Sequence, residues 1–326
     1  MNASFLSCDW GTTTFRLRLV ESGSQLHVIN ELTSDRGVRS FDGAGPARFE
    51  SYLLQVMEAM DAPMVPVLIS GMASSSVGWK ELPYANVPFT ATDAAALECE
   101  SFHIRYRGAD VPIHLFSGVR TPFDVMRGEE SELIGILTLP ETRKLAIEGC
   151  LVILPGTHCK HVRIENGRMV DFTTFLTGEL FELLACQSIL RATLDWDSLD
   201  EINAVHDDAL AEGVCAARDR GMAAGLFKVR TRGVLDGASG ASNIHYLLGL
   251  LIGDELQSLP RHDTEAPISI VLAAKYVHSY KRALEVLGFP DSRLMVLTAE
   301  QLEHATVRTH ALWLQQHYPA GGSSSS

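Results

Sequence analysis

Asp9-Trp10-Gly11-Thr12-Thr13-Thr14 stands between an apolar run, Ser4-Phe5-Leu6-Ser7-Cys8, and an alternating one, Phe15-Arg16-Leu17-Arg18-Leu19-Val20. That order reads as a buried strand, a tight turn and a returning half-exposed strand, with a third strand at Leu26-His27-Val28-Ile29-Asn30 after Ser22-Gly23-Ser24. The turn has the chemistry of an anion cradle. Glycine lets the backbone come close to a phosphate, successive N–H groups and threonine hydroxyls donate to its oxygens, and an aspartate at the end of the strand can anchor Mg²⁺. Gly-Thr turns also close ordinary hairpins, so the argument needs a second observation.

The chain supplies one about 145 residues later, where Gly149-Cys150-Leu151-Val152-Ile153-Leu154 runs into Pro155-Gly156-Thr157-His158. A hairpin follows again, because His161-Val162-Arg163-Ile164-Glu165 and Arg168-Met169-Val170-Asp171-Phe172 alternate around Asn166-Gly167, the strongest short-range signal for a two-residue reverse turn. Two copies of strand, Gly-Thr turn and hairpin suggest a duplicated domain whose two phosphate turns face each other across a cleft.

At 326 residues the chain fits two domains of ordinary size better than one. Its 46% hydrophobic and 21% charged residues are those of a folded globular protein. Only residues 320–326, closing on four serines, read as a flexible tail. The formal charge of −13 argues against a nucleic-acid partner, whose sequence-independent affinity comes from lysine and arginine. A small anionic substrate stays compatible, since it needs only a local positive cluster. No basic leader with an apolar core opens the sequence, and no stretch approaches 18 uncharged apolar residues, so a cytoplasmic protein with no membrane partner is expected. The six cysteines, at 8, 99, 150, 159, 186 and 215, form no C-x-x-C pair and read as reduced thiols. His158, Cys159 and His161 lie close together, but no second cluster offers a zinc site its remaining ligand. A homodimer is the default expectation for a soluble chain.

Farther along, Pro46 to Met60 carries Phe49, Leu53, Val56, Met57 and Met60 on one helical face. The strand Val65–Ser70 then ends at Gly71, and the small-residue loop Met72-Ala73-Ser74-Ser75-Ser76-Val77-Gly78-Trp79-Lys80 follows where open α/β sheets put their ligands. Strand 111–116 leads to Met126-Arg127-Gly128-Glu129-Glu130, where helical spacing resumes. The acids at that helix start either offset its dipole or supply a general base. The second half continues with a helix opening at Thr177-Gly178-Glu179-Leu180, another over Asp207–Arg220, and a very apolar one over Ser242–Leu259 whose glycines point to close helix packing. Strand 268–272, a helix over 276–287, strand 294–297 and a helix over 301–317 complete a β-α-β-α ending that requires a mostly parallel sheet.

These motifs, in this order, resemble the 2-dehydro-3-deoxygalactonokinases, sugar-acid kinases of the actin, hexokinase and Hsp70 fold. The resemblance is carried by Asp9-Trp10-Gly11-Thr12-Thr13, Gly71-Met72 with Val77-Gly78-Trp79-Lys80, and Pro83-Tyr84. It continues through Met126-Arg127-Gly128-Glu129-Glu130, Pro155-Gly156-Thr157-His158-Cys159-Lys160, Thr177-Gly178-Glu179-Leu180 and Gly249-Leu250-Leu251-Ile252-Gly253. It implies two ribonuclease-H-like (actin-like ATPase) α/β domains with an interdomain cleft: 1–145 with the first phosphate turn and the sugar-acid site, and 146–319 with the second turn and the adenosine site. It further implies ATP-dependent phosphorylation of 2-dehydro-3-deoxy-D-galactonate at its terminal hydroxyl, a step in galactonate breakdown. A kinase for another sugar acid or sugar, or a nucleotide-binding regulator of the same fold without turnover, are the alternatives.

On that resemblance Asp9 holds Mg²⁺, while Gly11, Thr12, Thr13, Gly156 and Thr157 contact the phosphates of ATP, with Lys160 offsetting charge. Glu129 is the expected base, with Glu130 and then Asp124 behind it. Arg39, Ser74, Ser75, Ser76, Trp79, Lys80 and Arg127 are the expected substrate contacts, with Arg16 and Arg36 as alternative arginines, because a planar guanidinium suits a carboxylate. The sequence departs from the expected pattern after the late strand, where Ala273-Ala274-Lys275 stands in place of Gly followed by Ser or Thr and makes Ala274 the position nearest the adenosine. Glu303-His304-Ala305 likewise lacks an expected glycine.

Overall fold

The computed structural model describes residues 3–23, 25–43, 45–201, 203–259, 269–272 and 276–318. Contacts divide the chain into two compact units, one of Met1–Gly149, Arg163–Phe172 and Ala299–Ser326, the other of Cys150–Val162 and Thr173–Thr298.

The first unit opens with the expected meander, β1 (Ala3–Trp10), β2 (Phe15–Ser22) and β3 (Leu26–Ser34), followed by helix α1 (Pro46–Ala59) and β4 (Val67–Gly71). Short strands β5 (Ala85–Asn86) and β6 (Phe89–Thr90) precede β7 (Cys99–Tyr106) and β8 (Ala109–Phe116). After β9 (Val119–Arg120) and β10 (Val125–Met126) come helices α2 (Glu129–Leu137) and α3 (Pro140–Glu148). The main sheet runs β3-β2-β1-β4-β8-β7. Strands β1 and β2 pair antiparallel, β1 and β4 parallel, and β4 and β8 parallel. A three-stranded meander continued by parallel strands is the ribonuclease-H-like arrangement.

Every residue of β4 is buried, as expected of a central parallel strand covered on both faces. Under β1 the indole of Trp10 is ringed by Phe15, Phe41, Phe49, Tyr52 and Trp79 at centroid separations from 4.8 to 6.4 Å. Such pairs contribute about 0.5–1.5 kcal/mol each beyond the area they bury. Helix α1 begins as its sequence dictates, with Gly45 at the N-cap and proline in the first turn, and buries Phe49, Tyr52, Leu53, Val56 and Met57 in the same core.

The second unit contains β11 (Cys150–Leu154) and the first parts of β12 (Cys159–Glu165) and the later parts of β13 (Arg168–Phe175), joined by Asn166-Gly167 with φ of 51° and 73°. Helices α4 (Thr177–Gln187), α5 (Ala204–Arg220), α6 (Met222–Leu235) and α7 (Gly240–Leu256) follow, then β14 (Ser269–Leu272), α8 (Val277–Val286) and β15 (Leu294–Val296). Strand β14 lies parallel to both β11 and β15. Helix α7 is buried around nearly its whole circumference, and the expected glycine packing is present: a side chain at Gly249 would strike the Leu210 carbonyl of α5.

Helices α9 (Ala299–Glu303) and α10 (Ala305–His317) end the described chain. The sequence reading placed this segment in the second domain. The contacts assign it to the first unit, where Ala305 lies against Gly135 of α2, Arg308 Nε donates to the Gly135 carbonyl at 3.0 Å and Thr309 Oγ1 donates to that of Ser131 at 2.6 Å. Glu303-His304-Ala305 thus packs beside α2. Ala273, Ala274 and Lys275 lie outside the described residues, as does the 320–326 tail. The sequence reading also passed over β7, α3 and α6. Strand β7 does alternate from Ser101 to Tyr106, with Phe102, Ile104 and Tyr106 turned inward and Ser101, His103 and Arg105 exposed, so its period-2 signal was present in the sequence.

Candidate active site

In the first unit the ends of β1 and β4 and the start of α2 converge. Asp9 lies in register with Arg16 on β2 and Ser70 on β4. Gly71, at φ +100°, has no room for a side chain because Trp10 O would lie 2.6 Å from its Cβ, and a Cβ on Gly128 would lie 3.2 Å from the Gly71 Cα. These two glycines let the α2 start press onto the strand ends, which is how a carboxylate on the helix comes near one on the strand.

Asp9 feels burial most strongly, which raises its pKa; Arg16 and Arg18 pull it back and the charge of Glu129 pushes it up again. Glu132, one turn along α2, is half-buried and pushed up to about 7 by burial, then by Asp9 and Glu129. The sequence reading missed Glu132. Its signal was the spacing in Glu129-Glu130-Ser131-Glu132, which puts the first and last on one helix face.

Glu130, the second-choice base, is fully buried, and both its oxygens accept from the Gly128 N–H at 2.9 and 2.7 Å. Burial, then the charge of Glu129, raises its pKa to about 8. It braces the helix start and faces away from any open space, so that expectation is corrected. Glu129 is half-buried and accepts from the Arg127 N–H at 3.0 Å. Asp124 sits in the β9–β10 turn with its carboxylate on the Val125 N–H at 2.7 Å.

The first Gly-Thr turn is held from outside. Gly37 N donates to Thr13 O at 3.2 Å, Val38 N to Gly11 O at 2.9 Å and Arg39 N to Thr12 O at 3.0 Å. Thr12 and Thr13 are exposed, as is Arg39, whose backbone bond seats it beside the turn. Arg36 is also exposed and lies over Tyr52 at 4.8 Å. Arg16 lies 3.8 Å from Glu31.

The expected substrate loop separates into exposed and buried parts. The Arg127 guanidinium donates to Ser74 O and Oγ at 2.6 Å each and to Leu82 O at 3.1 Å, with the Tyr84 ring 4.1 Å below it. Ser75 Oγ donates to Met72 O at 2.7 Å, and Trp79 is packed between Trp10 and Phe102. Arg127, Ser74, Ser75 and Trp79 therefore hold the loop's shape, which corrects their expected role as substrate contacts. Lys80 pairs with Glu100 on β7. Ser76 remains exposed.

In the second unit the Gly156-Thr157 turn is seated on the start of α4. A side chain at Gly178 would meet the Gly156 carbonyl oxygen at 2.2 Å, and Glu179 N donates to Thr157 O at 2.9 Å. Thr157 is exposed, whereas Lys160 is buried in β12. His158 turns outward to Glu179 at 2.6 Å and His161 inward to Glu255 at 2.8 Å, so the two imidazoles diverge. Among the described residues no three His, Cys, Asp or Glu side chains converge on one metal position.

A ribonuclease-H-like sheet whose first strand leads through Asp9 into a Gly-Thr turn, with Glu129 at the start of α2 nearby, has the layout of the actin-like fold class. Residues 9–307 match a family model described as 2-keto-3-deoxy-galactonokinase, and the chain belongs to that family. It is 29% identical over 295 residues to the 2-dehydro-3-deoxygalactonokinase of Escherichia coli (strain K12), covering 88% of this chain and 91% of that protein. It is 34% identical over 213 residues to a probable 2-dehydro-3-deoxygalactonokinase of Rhizobium meliloti (strain 1021), covering 64% and 65% of the two chains. A crystal structure from Sinorhizobium meliloti, provisionally given the same enzyme name, superposes with a TM-score of 0.76 at 28% identity over 97% of this chain and 99% of that one.

Proposed function

We propose that the chain transfers the γ-phosphoryl group of ATP to the terminal hydroxyl of 2-dehydro-3-deoxy-D-galactonate, giving the 6-phosphate and ADP. The observation that carries the reading is the approach of Glu129 to Asp9 beside an exposed Gly-Thr turn, since phosphoryl transfer asks a protein mainly to position groups and offset charge. Glu129 accepts the hydroxyl proton as the new O–P bond forms and the bond to the β-phosphate oxygen breaks. Gly11, Thr12 and Thr13, and in the second unit Gly156 and Thr157, donate to the phosphates. Arg39 is the arginine best supported as the partner of the substrate carboxylate, because it is exposed next to the first turn.

The donor set fits Mg²⁺ as far as Asp9 goes. The charge of Glu129 raises the proton affinity of Asp9, and Asp9 and Glu129 together raise that of Glu132, a repulsion that a divalent cation relieves. Mg²⁺ characteristically takes one or two carboxylates and completes its shell with water and substrate phosphates, where it neutralises developing charge. An enzyme without nucleic-acid partners completes the reading, supported by the charge of −13. Exposed Phe227, Val234 and Leu235 on α6 support a homodimer.

ADP release in a coupled assay with ATP and Mg²⁺ is expected with 2-dehydro-3-deoxy-D-galactonate. Turnover only with other sugar acids or hexoses overturns the substrate, and nucleotide binding without turnover on any of them overturns the activity. Glu129→Gln is expected to lower kcat by about 100- to 10,000-fold while ADP still binds.

A further inference from the structure

Glu255, near the end of α7, is 2% exposed and takes no part in the chemistry above, yet three groups around the second phosphate turn meet at its carboxylate. His161 Nε2 approaches Oε1 at 2.8 Å, from the strand that leaves the turn. Thr177 Oγ1, from the first residue of α4, donates to Oε2. Tyr280, on α8, donates its hydroxyl proton to Oε2 at 2.9 Å. The Cys159 sulfur lies 3.1 Å from the Tyr280 oxygen, and its thiol donates to the Gly156 carbonyl oxygen at 3.3 Å. A buried carboxylate is costly unless it is fully hydrogen-bonded. Here the network reaches three parts of the surroundings of Gly156-Thr157: the turn itself by way of Tyr280 and Cys159, the strand after it through His161, and the helix beneath it through Thr177.

From this convergence we infer that Glu255 is a positioning residue for the phosphoryl donor. It fixes the second Gly-Thr turn against the α4 start, and it ties both to α8. The inference rests on the reading that Gly156 and Thr157 contact donor phosphates. Glu255 and all of its partners belong to the second unit, whereas Asp9 and Glu129 belong to the first, so its effect is expected to fall on one substrate. A residue that served stability alone would change the apparent affinities for both substrates together, or neither.

The test uses the full chain and measures the KM for ATP, the KM for 2-dehydro-3-deoxy-D-galactonate and the calorimetric Kd for ADP. Glu255→Gln keeps the shape but replaces one acceptor oxygen by a donor, and is expected to raise the ATP KM and ADP Kd about tenfold with the sugar-acid KM within twofold. This selectivity follows because a donor facing Thr177 and Tyr280 displaces the turn and not the first unit. Tyr280→Phe removes a single bond and is expected to shift the same two constants by a smaller factor; it decides the matter should Glu255→Gln fail to fold. Unchanged nucleotide constants in a folded Glu255→Gln or Tyr280→Phe protein overturn the inference, as does an equal shift in both KM values. Thr157→Ala separates this from the underlying reading. If Thr157→Ala weakens ADP binding and the Glu255 and Tyr280 variants do not, only the role of Glu255 falls; if none of the three weakens it, the phosphate turn assignment falls and takes the inference with it.

Discussion

Glu129 and Glu130 are adjacent in the chain and live in different surroundings, one half-buried beside Asp9, the other sealed under the first turn of α2. The sealed position has a consequence for stability. In the unfolded chain a glutamate releases its proton near pH 4.5, whereas Glu130 in the fold holds it up to about 8. Between those values the native state binds the extra proton, so this residue's contribution to stability falls as pH rises through that window. Glu130→Gln removes the titration, and its unfolding midpoint in urea is expected to lose less between pH 5 and pH 8 than the parent's does; equal losses in both proteins contradict the burial argument. Arg127 poses the complementary case. It was legible as part of a signature and as a cation, but its direction depends on Ser74 and Leu82, which lie 53 and 45 positions away. Local sequence carries no information about that partner choice.

At the scale of elements, the β1 and β2 hairpin was legible because an apolar run, turn chemistry and the alternation of β2 agree from Ala3 to Ser22. The β12 and β13 hairpin was legible for the same reason, through Asn166-Gly167. The α4 start was read as a helix opening, yet its service as the seat of the Gly156-Thr157 turn was not, since that rests on a carbonyl approaching a glycine from 22 positions upstream. Gly178→Ala inserts a methyl group where 2.2 Å is available. The expected result is a loss of about 1–3 kcal/mol in unfolding free energy, with weaker ADP binding in the protein that remains folded. An unchanged midpoint in a denaturant titration would mean that the turn gives way without cost.

For the molecule as a whole, a chain of two α/β units was legible, while the assignment of Arg163–Phe172 and of the last helix to the first unit was not. Nothing within Ala305–His317 marks the surface it packs on. The link is the buried side chain of His310, whose Nδ1 meets Ser7 Oγ at 2.8 Å and whose Nε2 meets Ser70 Oγ at 2.8 Å, with Ser70 in turn 2.7 Å from Ser131. Burial, then His114, lowers the His310 pKa to about 3, so the ring is neutral and uses one nitrogen as donor and the other as acceptor. His310→Leu leaves both serines without that partner and is expected to cost about 1–3 kcal/mol, read as a lower midpoint of urea unfolding; an unchanged midpoint would show the serines re-pairing elsewhere.

Ser7 and His310 stand 303 positions apart, and they are neighbours in one core. During synthesis the meander emerges early, with the groove for α10 still empty, and the intervening second unit must be translated before that groove can be filled. The meander is thus translated long before its packing is complete, and a nascent chain halted before residue 305 is expected to leave open to chaperones and proteases the flank of α2 that α10 covers.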